Sequence, residues 1–176
     1  YWLAQLTFVL IYAIVGLGLM LLAGYTGLFS LGHAAFLGVG AYTQAVLTGM
    51  GWPFLLSLAC AAGISAAVGV VVGLPAMRVK GIYLGMATLA FGFIVEEGFA
   101  RWESVTGGNS GKAVAMPEIF GVSLDSAMAF YFVCLAITVA FMLVILNLLR
   151  SPTGRAFVAI RDSEISAQSM GIHLAY

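Results

Sequence analysis

Five runs of about 20 mostly apolar residues constrain this chain more than any other feature, because that length, wound as a helix, crosses a hydrocarbon core of about 30 Å. They lie at residues 1–23, 28–48, 54–77, 82–100 and 127–149. The expected fold is all-α: a polytopic transmembrane helix bundle with a broken or glycine-rich second segment. Composition agrees. The chain is 62% hydrophobic and 8% charged, against about 25% charged in an ordinary soluble domain. Seven basic and seven acidic residues cannot cover the surface of a water-soluble globule of this size. A lipid bilayer is therefore the expected solvent for most of that surface.

The charges that remain orient the segments. Arg78 and Lys80 fill the turn after the third run, and Arg150, Arg155 and Arg161 follow the fifth. Basic residues concentrate in cytoplasmic loops, so both regions are placed in the cytoplasm. Loop 101–126 is then external, the Gly49–Pro53 turn is external, and the break at Gly24-Tyr25-Thr26-Gly27 is cytoplasmic. The sides alternate without contradiction. Net charge is zero, and the basic stretches that nucleic acid requires are absent. Cys60 and Cys134 sit inside apolar runs and read as small hydrophobes rather than a disulfide. The chain opens at Tyr1 without a basic leader and closes at Tyr176 just after a polar stretch. The expectation is one partial transmembrane domain over 1–176, cut at both ends.

The second run is the least regular, interrupted by Ser30, Gly32, His33, Gly38 and Gly40. A helix from Leu28 is long enough to cross; one beginning after Gly32-His33 is short. Non-helical backbone at membrane depth survives only against protein or a water-filled cavity, and broken helices mark substrate pathways in transporters. Close helix packing on small residues is the plainer alternative. Ser30, Gly32 and His33 are thus candidate pathway or structural residues. For His33 a backbone hydrogen-bonding role is favoured over a proton relay.

Glu96 and Glu97 lie near the external end of the fourth run. Adjacent helical residues diverge by about 100°, so at most one faces a given interior surface. The expectation is that both reach the interface, with Arg101 one turn beyond Glu97. Thr106-Gly107-Gly108-Asn109-Ser110-Gly111-Lys112-Ala113 lacks the first glycine and the final Ser or Thr of a phosphate loop, and reads as an external turn. No catalytic set, metal cluster or cofactor site can be assembled, so a conduit is expected rather than an enzyme. The polar stretch 150–176 favours a short helix from Glu164 to Met170, capped by Asp162 or Ser163 and ended by Gly171.

Glu164-Ile165-Ser166-Ala167-Gln168-Ser169-Met170-Gly171-Ile172 resembles the cytoplasmic "EAA" loop of bacterial ABC importer permeases. The lead-in Gly154-Arg155-Ala156 through Ala159-Ile160-Arg161-Asp162 is similar to that of branched-chain amino-acid permeases. Gly24-Tyr25-Thr26-Gly27-Leu28-Phe29-Ser30-Leu31-Gly32-His33-Ala34-Ala35-Phe36, then Gly40-Ala41-Tyr42, is similar to the early motif of the M-type subunit of that system. Gly73-Leu74-Pro75-Ala76, Thr88-Leu89-Ala90-Phe91-Gly92 and Thr106-Gly107-Gly108 follow in the family's order.

The resemblance covers nearly the whole chain. It implies a multi-pass protein of the bacterial inner membrane working with a paralogous permease, two cytoplasmic ATPase subunits and a periplasmic binding protein. Arg161, Glu164, Ala167, Gly171 and Ile172 would couple to the ATPase, where all ATP hydrolysis would occur. Many relatives carry a carboxylate just after the Phe91-Gly92 pair; Phe93 stands there in this chain, so that carboxylate's role does not transfer. Related permeases carry urea or short amides, which this sequence discriminates poorly. A secondary transporter would need coupling-ion ligands at mid-membrane and would leave the loop-like segment unexplained; the broken second segment argues mildly against a membrane scaffold.

Overall fold

The computed structural model describes residues 2–76, 79, 81–112, 114, 118–119, 122–123, 127–163, 167 and 169–170. Helix α1 (Trp2–Leu19) runs directly into a π-helical turn, Met20–Tyr25. The turn stops at Gly27, whose φ of +72° suits a residue without Cβ. Thr26 Oγ1 donates to the Leu22 carbonyl, and the Leu28 amide donates to the same oxygen at 3.3 Å. Both satisfy an acceptor that a helix end leaves unpaired.

Helix re-forms only at His33, and α2 spans His33–Gly49. The sequence places the second segment at 28–48; the later start goes with a contact to a residue distant in sequence. The Leu31 amide donates to Thr88 Oγ1 at 3.0 Å instead of to a helical carbonyl. At 17 residues, α2 is about 26 Å long. Helix α3 (Phe54–Ala76) opens after Pro53, whose carbonyl accepts the Ser57 amide at 3.0 Å. A proline there sacrifices no helical donor. Helix α4 (Ile82–Arg101) follows Gly81.

A short helix, α5 (Glu103–Thr106), closes the end of α4. The Thr106 hydroxyl lies 2.6 Å from the Phe99 carbonyl and 2.8 Å from that of Trp102, and it accepts the Gly108 amide at 3.1 Å. This side chain is buried. The stretch that reads from sequence as a simple turn is therefore anchored by one hydroxyl to the last carbonyls of a long helix. Strands β1 (Glu118–Ile119) and β2 (Val122–Ser123) pair antiparallel. Helices α6 (Ala127–Arg150) and α7 (Pro152–Asp162) follow.

Tyr1–Ser30 and Ala127–Tyr176 form one compact unit, and Leu31–Ser126 a second. In the first, α1 packs along α6, and α7 folds back onto α6 and the π turn. In the second, α2 lies along α3 and also meets α4. Ala35, Ala45, Ser57 and Ala61 are buried there, the small residues that let transmembrane helices approach closely. Large apolar side chains face outward instead; Trp2 and Ile82 are each 80% exposed. An apolar exterior of this extent marks a membrane-embedded surface. Among the described residues, Trp2–Tyr25, Phe54–Ala76, Ile82–Arg101 and Ala127–Arg150 are long and apolar enough to cross a bilayer. The fold is all-α and polytopic, with a broken second segment.

Candidate functional site

Helix α7 begins as its first residues require. Ser151 accepts the Gly154 amide through Oγ at 3.4 Å, and Pro152 occupies the first helical position, the favoured chemistry for a helix start. Gly154 is buried because its backbone rests on the last turn of α6; a Cβ there would collide with Leu148 and Leu149 backbone atoms. The sequence expectation places a helix only at 164–170, although Ser151-Pro152 signals this one.

Near the end of α7, Arg161 reaches across to the end of α1. Its Nη1 donates to the Gly24 carbonyl at 2.8 Å, while Nε and Nη2 donate to Asp162 Oδ1 at 3.2 and 3.0 Å. A carbonyl at a helix C-terminus carries partial negative charge and suits a guanidinium. Gly27 lies against the same side chain: a Cβ on it would fall 2.9 Å from Arg161 Cγ. Arg161 thus fills the notch where α1 ends. Beyond it, the Ala167 amide donates to the Ser163 carbonyl at 3.0 Å, and Ala167 is 1% exposed. Of the residues predicted to couple to an ATPase, Arg161 and Ala167 are described; Glu164, Gly171 and Ile172 lie outside the described residues.

The candidate residues of the second segment fall in different units. Ser30 ends a stretch of the first unit, whereas Gly32 and His33 begin the second. Gly32 precedes α2, and its carbonyl accepts the Ala35 amide at 3.0 Å. It lies so close to α4 that a Cβ would overlap the Thr88 carbonyl. Thr88 Oγ1 donates to the Gly85 carbonyl at 2.9 Å while accepting the Leu31 amide. Of the backbone freed by the break, Thr88 meets the Leu31 amide; among the described residues the His33 ring makes no hydrogen bond to it. The His33 ring instead stands edge-on to Phe36, with centroids 6.2 Å apart. Sequence alone carries no signal that pairs Leu31 with a threonine on a separate helix.

A cavity of about 310 Å³ opens between the first turns of α2 and the second half of α4. Gly32, Ala35 and Gly38 form one wall; Phe93, Glu96 and Phe99 form the other. The adjacent carboxylates diverge. Glu97 pairs with Arg101 one turn on, with both side chains exposed. Glu96 lines the cavity and makes no hydrogen bond or ion pair among the described residues. The expected pairing of Glu97 with Arg101 is present, and Glu96, which is exposed as well, stands at the cavity without that partner. Among the described residues no group of three or more His, Cys, Asp or Glu side chains is placed to hold a metal ion.

Two places therefore combine unusual backbone with specific side chains: the Arg161 contact at the end of α1, and the cavity beside the head of α2. The family of branched-chain amino acid transport system permease components matches residues 1–176. The high-affinity branched-chain amino acid transport system permease protein LivM of Salmonella typhimurium (strain LT2) is 35% identical over 94% of this chain. The protein of the same description from Escherichia coli (strain K12) shows the same identity and coverage. The chain spans 45% of the length of each relative. No solved structure matches it.

Proposed function

This chain belongs to the family of branched-chain amino acid transport system permease components, and from that premise we propose that it forms part of the membrane path of an ABC importer. The cargo is a branched-chain amino acid, and the membrane is the bacterial inner membrane. A periplasmic binding protein delivers the cargo, a paralogous permease completes the path, and separate cytoplasmic ATPases supply the energy. The match over the whole of residues 1–176 supports this reading, as does the resemblance of 164–172 to the ATPase-docking loop.

The observation that carries the coupling role is the contact of Arg161 with Gly24. α7 leads directly into 164–172, and its last basic residue is bonded to the end of a membrane-crossing helix. Movement of a docked loop therefore has a short, hydrogen-bonded route into the membrane. The same bond supports placing the ends of α1 and α6 on one side of the membrane, because it holds the two at one level.

Cysteines introduced singly over 164–172 of the full-length permease, with its ATPase present, test the proposal. Cross-links that change with ATP are expected. A permease that assembles and imports but never cross-links would remove the docking role and return the secondary-transporter and scaffold readings.

A further inference from the structure

The cavity beside α2 holds a feature that the coupling role does not use. Glu96 sits in a helix of 20 residues built to cross a membrane, about 8 Å from its C-terminal end by helical rise. A carboxylate within such a segment is costly unless something compensates its charge. Glu97, the next residue, is compensated by Arg101. Glu96 has no such partner among the described residues; it is exposed and stands at the edge of a half-open space lined by glycine, alanine and phenylalanine. At about 310 Å³ the cavity falls at the lower end of the range for small-molecule sites. A half-open apolar space with one carboxylate at its edge suits a ligand that lays an apolar body along the wall and turns a cationic group toward the opening.

We propose that this cavity is a resting station on the transport path, at which Glu96 receives the ammonium group of a small apolar amino acid while Phe93 and Phe99 contact its side chain. The inference rests on the importer reading and adds to it a specificity-determining residue. Gly38 keeps the station open: a Cβ there would press on the Phe99 ring at 2.9 Å.

The test uses the full-length permease assembled with its partner subunits in nanodiscs, without the binding protein. Binding of radiolabelled leucine is competed with 3-methylbutylamine, which keeps the ammonium, and with 4-methylpentanoate, which lacks it. The amine is expected to compete and the acid is not. Glu96→Gln should weaken leucine binding by roughly tenfold or more, the scale of one charged hydrogen bond; Glu96→Asp should restore part of it, and Glu97→Gln should leave it unchanged.

Leucine uptake in proteoliposomes, with the binding protein added, separates the possible failures. If Glu96→Gln binds and imports as the wild type does, the station is overturned and the importer reading stands. If Glu96→Gln fails to assemble with its partners, Glu96 is a packing contact and the station is overturned. If the assembled wild type imports no apolar amino acid at all, both readings fall.

Discussion

Gly32 shows how tightly one residue can bind a function to a sequence. Its lack of a side chain is what allows the Thr88 carbonyl to approach, and that approach brings Thr88 Oγ1 to the Leu31 amide. A methyl group there would push the head of α2 off α4, with backbone on both sides of the clash and no flexible end to yield. Gly32→Ala is expected to destabilise the full-length permease by about 1–3 kcal/mol, as overpacking does. Gly16→Ala, which meets nothing within 4 Å, serves as the control. Thermal unfolding in detergent reads the difference, and equal midpoints for the two variants would remove the packing role of Gly32. The two adjacent glutamates teach a related lesson. Composition and position make them equivalent, and only the packing of α2 against α4 assigns one to Arg101 and the other to a cavity.

At the level of elements, legibility follows from what each element depends on. The long helices declare themselves by apolar length, which is a local property, and α1, α3, α4 and α6 lie where the runs place them. The start of α2 depends on a hydrogen bond between Leu31 and Thr88, far apart in sequence, so no local pattern predicts it. Helix α7 is a different case: the Ser151-Pro152 start is present in the sequence, but the helix expected from the sequence lies only further on, at 164–170. Arg161, legible only through a resemblance, gains its physical role from the π turn it contacts. Arg161→Ala is expected to lower uptake per ATP hydrolysed. The lost bond is worth about 1–2 kcal/mol, toward the lower end because the side chain is 43% exposed and solvent screens it. Arg161→Lys should fall between, since an ammonium can reach one partner but cannot fork to Gly24 and Asp162 together. Parallel assays of ATPase rate and transport measure the ratio, and an unchanged ratio in Arg161→Ala would confine the residue to holding the fold.

At the scale of the whole molecule, orientation is the property on which the importer reading depends. Single cysteines at positions 112 and 155 of the full-length permease test it in intact cells with a membrane-impermeant maleimide. Position 112 should label directly, and position 155 only after the membrane is opened. The reverse pattern would invert the topology and place 164–172 out of reach of any cytoplasmic motor. The two units also divide the chain unequally along its length, since Leu31–Ser126 interrupts a unit made of both ends. That arrangement imposes a timetable on synthesis. The Gly24 carbonyl leaves the ribosome 137 residues ahead of Arg161, a wait of roughly 7–27 seconds at about 5–20 residues per second. The end of α1 is therefore made long before the side chain that covers it, and a nascent chain halted before residue 161 carries that end still open to water and lipid headgroups.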